Sequence, residues 1–181
     1  MPCREIRAVL FGPSMKENGG IFSQIQPWAV IAECLLRRPA QAWETWRAFC
    51  PANQNERAEI RQIEPYVHCQ STHGRHSRRH GASRLPWLTG TATWAYTAAT
   101  QHLCGVRPDW DGLRIDPCLE PGSGSVTVRR RFRGKAFEVR MSPGAAGCGV
   151  RSLVLNGNEI AGDLVPIALA RDANLVEVRT A

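Results

Sequence analysis

Near residue 108 the spacing of apolar residues changes from a helical to a strand period, and no other feature constrains the fold as tightly. Upstream, Trp28, Ile31, Ala32, Leu35 and Leu36 recur at the i, i+3, i+4, i+7 positions of one helix face, and Pro27 suits a first helical position. Residues 40–49 read as a second short helix. A third is expected over Thr89–Leu103, stopped by Gly105. The intervening residues 51–88 carry few regular signals, and a loop of that length inside a compact domain is usually functional or disordered. Downstream of Pro108 the period is two. Val126–Phe132 and Ala136–Met141 flank Arg133-Gly134-Lys135 as a hairpin, and Ser152–Leu155 runs into Asn156-Gly157, the strongest short hairpin signal. A last strand is expected at Leu175–Arg179. The expected class is α+β, with helices and one elaborate loop over 1–107 and a small antiparallel β domain over 108–181. No internal repeat is visible.

A chain of 181 residues suffices for one ordinary domain or two small ones. No apolar run approaches the roughly 20 residues needed to cross a bilayer, and Met1-Pro2-Cys3-Arg4 leads into no signal-peptide core. The cysteines are odd in number, seven, at 3, 34, 50, 69, 104, 118 and 148, with no Cys-x-x-Cys pair. That argues against a disulfide framework and for small buried apolar residues in a reducing compartment, so a cytoplasmic location is expected. The net charge of +7 sits largely in Arg75-His76-Ser77-Arg78-Arg79-His80 and Arg129-Arg130-Arg131-Phe132-Arg133. Such stripes attract phosphate backbones, but they are more often solvated faces, and no nucleic-acid-binding motif accompanies them. The helical half carries Trp28, Trp43, Trp46, Trp87 and Trp94, more large apolar surface than three helices can cover for one another.

Four separated motifs occur in order. Phe11-Gly12-Pro13-Ser14-Met15-Lys16-Glu17-Asn18-Gly19-Gly20-Ile21-Phe22-Ser23 is followed by Glu64-Pro65-Tyr66-Val67 with Cys69-Gln70, then by Pro86-Trp87-Leu88-Thr89-Gly90-Thr91-Ala92, then by Gly112-Leu113-Arg114-Ile115-Asp116-Pro117. In this order and spacing they resemble the C-terminal end of glycoside hydrolase family 94, the inverting cellobiose and chitobiose phosphorylases. The resemblance covers nearly the whole chain. It implies the last helices of an (α/α) six-hairpin barrel over 1–107, followed by a C-terminal antiparallel β-sandwich over 108–181. It also implies reversible phosphorolysis of a β-linked disaccharide, with inorganic phosphate as co-substrate and no cofactor. The family's general acid is an aspartate upstream of these motifs, so no residue of this chain is assigned as catalytic. The chain is then expected to be a piece of the enzyme, inactive alone and completed by an N-terminal part, with a homodimer for the whole protein.

An inverting hydrolase needs an acid and a base, whereas a phosphorylase replaces the base with a cradle for phosphate, already an anion. By resemblance Lys16 and Glu17 bind the departing sugar, one donating and the other accepting hydrogen bonds, and Gln70 binds the sugar that is transferred. Thr89 and Gly90, with the N–H groups that open the third helix, correspond to one side of the phosphate site. Gln24 stands where relatives usually carry a phosphate-contacting histidine; its amide donates a hydrogen bond but carries no charge. Phe11 stands where relatives tend to have a tyrosine.

His68, Cys69, His73, His76 and His80 fit no standard zinc spacing, and the interleaved arginines repel a cation, so no metal is expected. Trp87 and Trp94 read as core more readily than as sugar platforms, Glu64 as a structural group, and Asp109, Asp111 and Asp116 as turn and capping residues. Two rival functions stand beside the phosphorylase reading. A carbohydrate-binding β-sandwich would bind disaccharide without phosphate dependence, and a basic nucleic-acid-binding protein would weaken steeply with salt.

Overall fold

The computed structural model describes residues 10–120 and 122–181. Met1-Pro2-Cys3-Arg4 lies outside the described residues, and with it the expectation of a buried Cys3 thiol. In chain order the elements are β1 (Ile21–Phe22), α1 (Gln26–Leu35), α2 (Pro39–Phe49), α3 (Ala58–Arg61), β2 (Cys69–Thr72), β3 (Ser83–Pro86) and α4 (Thr91–Thr97), which continues as a π-helical stretch over Ala98–Leu103. Then come β4 (Val106–Pro108), β5 (Gly112–Ile115), β6 (Val126–Phe132), β7 (Lys135–Ser142), β8 (Ser152–Leu155), β9 (Asn158–Ile160), β10 (Leu164–Pro166) and β11 (Ala173–Arg179). Both α1 and α2 place a proline in the first turn, where the missing N–H would have had no partner. The architecture is α+β, and contacts divide it into two compact units.

The first unit comprises Met1–Ala29 and Thr45–Ala95. Its framework is an antiparallel sheet in the order β1-β2-β3, with Ile21 opposite Thr72 and Ser71 opposite Arg84. Residues 51–88 therefore contain two strands, a short helix and a 3-10 stretch (Pro51–Arg57), where the sequence offers few signals. The strands read Cys-Gln-Ser-Thr and Ser-Arg-Leu-Pro, too short and polar to show an apolar alternation. Their pairing comes from tertiary context. Aromatic rings pack edge to face at Trp28–Trp94 (5.5 Å) and Trp46–Phe49 (5.3 Å). The core reading of Trp87 is corrected: the residue is 66% exposed, held at Tyr66 and by Nε1 donating to Glu64 Oε1 at 3.1 Å. Its φ of 66° lies in the left-handed region, four residues before α4.

The second unit comprises Val30–Glu44 and Tyr96–Ala181. One antiparallel sheet runs β10-β5-β4, and a second runs β6-β7-β11-β8-β9. Val106, Leu113, Ile115 and Val165 from the first share one buried core with Phe137, Val139, Met141, Leu153, Leu155, Val176 and Val178 from the second. Burial of each such side chain is worth about 1.5–3 kcal/mol. The hairpins form where expected, Asn156 and Gly157 both taking the positive φ of a type I′ turn (51° and 85°). The wholly antiparallel β domain is corrected. β11 is antiparallel to β8 but runs parallel to β7 over seven residue pairs. A long connection through β8, β9 and β10 lets the chain re-enter between β7 and β8 in the same direction as β7.

The basic run 129–133 is largely occupied internally. Arg129 pairs with Glu138 at 2.9 Å, Arg130 donates to the Val106 carbonyl at 2.7 Å, and Arg133 stacks on Phe132. Asp116, expected only to cap a turn, joins Arg37 and Arg107, and Asp109 pairs with Arg114.

Candidate functional site

The six residues singled out by sequence all lie in the first unit. Lys16 and Glu17 sit in a compact loop that precedes β1. Within it Ser14 N–H donates to Asn18 O at 2.8 Å, Gly20 N–H to Lys16 O at 2.8 Å, and Asn18 Nδ2 to Phe11 O at 2.8 Å. Ser14 and Lys16 take φ of 58° and 45°, a left-handed conformation that side-chain-bearing residues adopt uncommonly and at a cost. The loop also needs a close neighbour. Gly74 N–H donates to Ser14 O at 2.9 Å and His76 N–H to Ser14 Oγ at 3.2 Å. A side chain at Gly74 would begin 2.9 Å from Gly19 O and 3.0 Å from Ser14 Cβ, so only glycine permits this approach.

The loop directs Lys16 Nζ to Gln70 Oε1, at 2.9 Å across 54 residues of sequence. Gln70 lies on β2, where Cys69 and Ser71 face inward and Gln70 and Thr72 are half-buried, the two-residue alternation of a strand. Glu17 is exposed, and among the described residues no ion pair joins it to Lys16. The start of α4 is also tied to β2. Thr91 Oγ1 donates to Cys69 O at 3.3 Å, fixing that helix to the strand beside Gln70. Thr89 Oγ1 accepts from Thr91 N–H at 3.1 Å and lies 2.7 Å from Thr91 Oγ1. The α-helix thus starts two residues later than expected, with Thr89 as its capping side chain. Gln24, in the 3-10 turn after β1, places its Oε1 3.6 Å from where a side chain on Gly90 would begin. Lys16 thus meets β2 at Gln70, and Thr91 ties β2 to the segment in which Thr89 and Gly90 lie near Gln24.

Sequence reasoning passed over the group that stiffens this framework. His73 is buried, with Arg84 Nε donating to its Nε2 at 3.1 Å and its Nδ1 within 2.9 Å of Ser77 Oγ. With Nε2 accepting, Nδ1 carries the proton and the ring is neutral. Burial, then the guanidinium groups of Arg84 and Arg79, hold its pKa below the usual histidine value. Burial and Arg61 act the same way on His68. The only sequence signal was a histidine and an arginine eleven residues apart, which says nothing until β2 and β3 pair. Glu64 is held below the usual carboxylate range by its own backbone and by the Trp87 indole, as suits a structural group. A groove of about 590 Å³ runs behind the loop, lined by Ser14, Asn18, Gly74, Arg75, His76 and His80 among others. Among the described residues no group of three or more His, Cys, Asp or Glu side chains is placed to hold a metal. No helix among them is long and apolar enough to cross a membrane.

Residues 4–105 match the catalytic domain of the Glycosyl hydrolase 94 superfamily. Similar proteins include the N,N'-diacetylchitobiose phosphorylases of Vibrio proteolyticus (40% identical over 91% of this chain and 21% of that protein) and Vibrio furnissii (40% over 81% and 18%). The solabiose phosphorylase of Paenibacillus borealis is 30% identical over 87% of this chain and 21% of that protein. The chain spans about a fifth of the length of these relatives.

Proposed function

The chain belongs to the Glycosyl hydrolase 94 superfamily, and on that premise we propose that it supplies sugar- and phosphate-binding residues to an inverting disaccharide phosphorylase. The reaction is phosphorolysis of a β-linked disaccharide to a sugar 1-phosphate and a free sugar, with inorganic phosphate as co-substrate. The general acid is provided from outside the residues of this chain. The helical part belongs to an (α/α) barrel and the two sheets of the second unit to a β-sandwich. The protein works in the cytoplasm, with the whole enzyme a homodimer.

The observation that carries this reading is the Lys16–Gln70 hydrogen bond, which joins the first two motifs beside a third. Lys16, Glu17 and Gln70 offer donors and acceptors suited to sugar hydroxyls, with the exposed Glu17 carboxylate left to accept. Gln24, Thr89 and Gly90 form the phosphate side, where the amide of Gln24 donates in place of a charged imidazole. The two relatives at 40% identity, both named for N,N'-diacetylchitobiose, make an N-acetylglucosamine disaccharide the first substrate to test. Saturation-transfer NMR on the 181-residue chain with N,N'-diacetylchitobiose and with cellobiose tests the reading. Sugar signals that strengthen with phosphate and fade in Lys16→Ala and Gln70→Ala are expected. Sugar binding indifferent to both substitutions and to phosphate would refute the assignment.

A further inference from the structure

Three thiols meet in the second unit, far in function from the sugar residues. Cys34 is on α1, Cys118 follows β5, and Cys148 lies in the segment between β7 and β8. Cys118 and Cys148 are directly opposed in an antiparallel bridge, with Sγ atoms in contact at 3.6 Å and residues 2% and 7% exposed. The bonds on either side, Leu119 N–H to Gly147 O at 2.8 Å and Gly149 N–H to Pro117 O at 3.1 Å, identify a non-hydrogen-bonded pair. In such a pair the Cα atoms stand about 4.5 Å apart and the side chains lean together. That separation falls inside the range a disulfide requires, so the backbone already holds bridging geometry.

We propose that Cys118 and Cys148 are a site of oxidative modification, closed to a disulfide by small-molecule disulfides such as oxidised glutathione. One thiolate attacks the oxidant's S–S bond, forms a mixed disulfide and releases one small thiol. The second cysteine displaces the other small thiol. The cysteine pair loses two electrons, the oxidant gains them, and both Sγ protons leave on the released thiols. Cys34, hydrogen-bonded to Cys118, is the remaining thiol at the site. Arg37 and Asp116 are the charged groups that face it. Burial pushes the Cys148 thiol up to about 12, and Cys118 rises further, chiefly through its hydrogen bond with Cys34. Closure is therefore slow near neutrality and quickens as pH rises. The bridge encloses the β6–β7 hairpin and constrains the unfolded chain, which raises thermal stability.

The test incubates the full chain with oxidised glutathione at pH 8.5, blocks remaining thiols under denaturing conditions and maps peptides by mass. A Cys118–Cys148 linked peptide, short of two hydrogens, is expected, with the melting temperature of the second unit raised by roughly 5–10 °C. The link should persist in Cys34→Ser. Free Cys118 and Cys148, stable glutathione adducts on both, or a Cys34–Cys118 link instead would overturn the proposal. So would an equal rise in melting temperature in oxidised Cys148→Ser.

Discussion

Lys16 Nζ donates to Gln70 Oε1 at 2.9 Å, so a lysine in a strained loop and a glutamine on a central strand act as one unit. Residues coupled in this way respond non-additively to substitution. Lys16→Ala and Gln70→Ala should each weaken disaccharide binding about five- to tenfold. The double variant should be little worse than either single one. Additive losses in a titration series would show that the two side chains meet the sugar independently.

At position 24 a histidine should favour phosphate over sugar. A hydrogen bond to a charged partner is worth roughly 1.5–3 kcal/mol against about 1 for a neutral one. Gln24→His should tighten phosphate by up to about tenfold, more at pH 6 than at pH 8 because the imidazole charges below about 6.5. Phosphate titrations at the two pH values, with disaccharide affinity as control, read out the difference.

The loop that carries Lys16 depends on the absence of a side chain at Gly74. Gly74→Ala puts a methyl 2.9 Å from Gly19 O and 3.0 Å from Ser14 Cβ, atoms with little room to shift. A loss of about 1–3 kcal/mol from the first unit is expected in denaturant unfolding. Gly124→Ala, where nothing lies within 4 Å and φ is likewise not positive, is the control for the added methyl.

Acid should weaken the first unit before carboxylates begin to titrate. His73 and His68 have folded-state pKa values below the unfolded one, so the unfolded chain binds protons first. Stability is then fully present above about pH 6.5 and falls as pH drops from there towards the folded values. Melting between pH 7.5 and 5 should show this slope, and His73→Gln should flatten it.

Protection against hydrogen exchange should be uneven. The contiguous apolar core lies in the second unit, whereas Trp28, Trp87, Leu88 and Trp94 of the first unit are all exposed. Amides of β7 and β11 should exchange at least tenfold more slowly than those of β2 and β3. Equal protection in the two sheets would contradict the burial pattern.

What could be read from the sequence was whatever a local period or a local turn encodes. The helix stripe from Trp28 to Leu36, the prolines that open helices and the Asn156-Gly157 turn act within a few residues, so each was legible without neighbours. The order of four motifs was equally legible, and with it the family. β2 and β3 were not, because Cys-Gln-Ser-Thr and Ser-Arg-Leu-Pro have no pattern of their own and are strands only by virtue of β1 and of each other. The parallel entry of β11 beside β7 was hidden for a similar reason, since strand direction follows from a connection of some thirty residues rather than from any one of them. Tertiary structure alone decided that Lys16 meets Gln70, that Arg84 keeps His73 neutral and that Cys118 faces Cys148. Each of those pairs is held by backbone pairing between segments distant in sequence, and a one-residue slip in register would send the side chains to opposite faces.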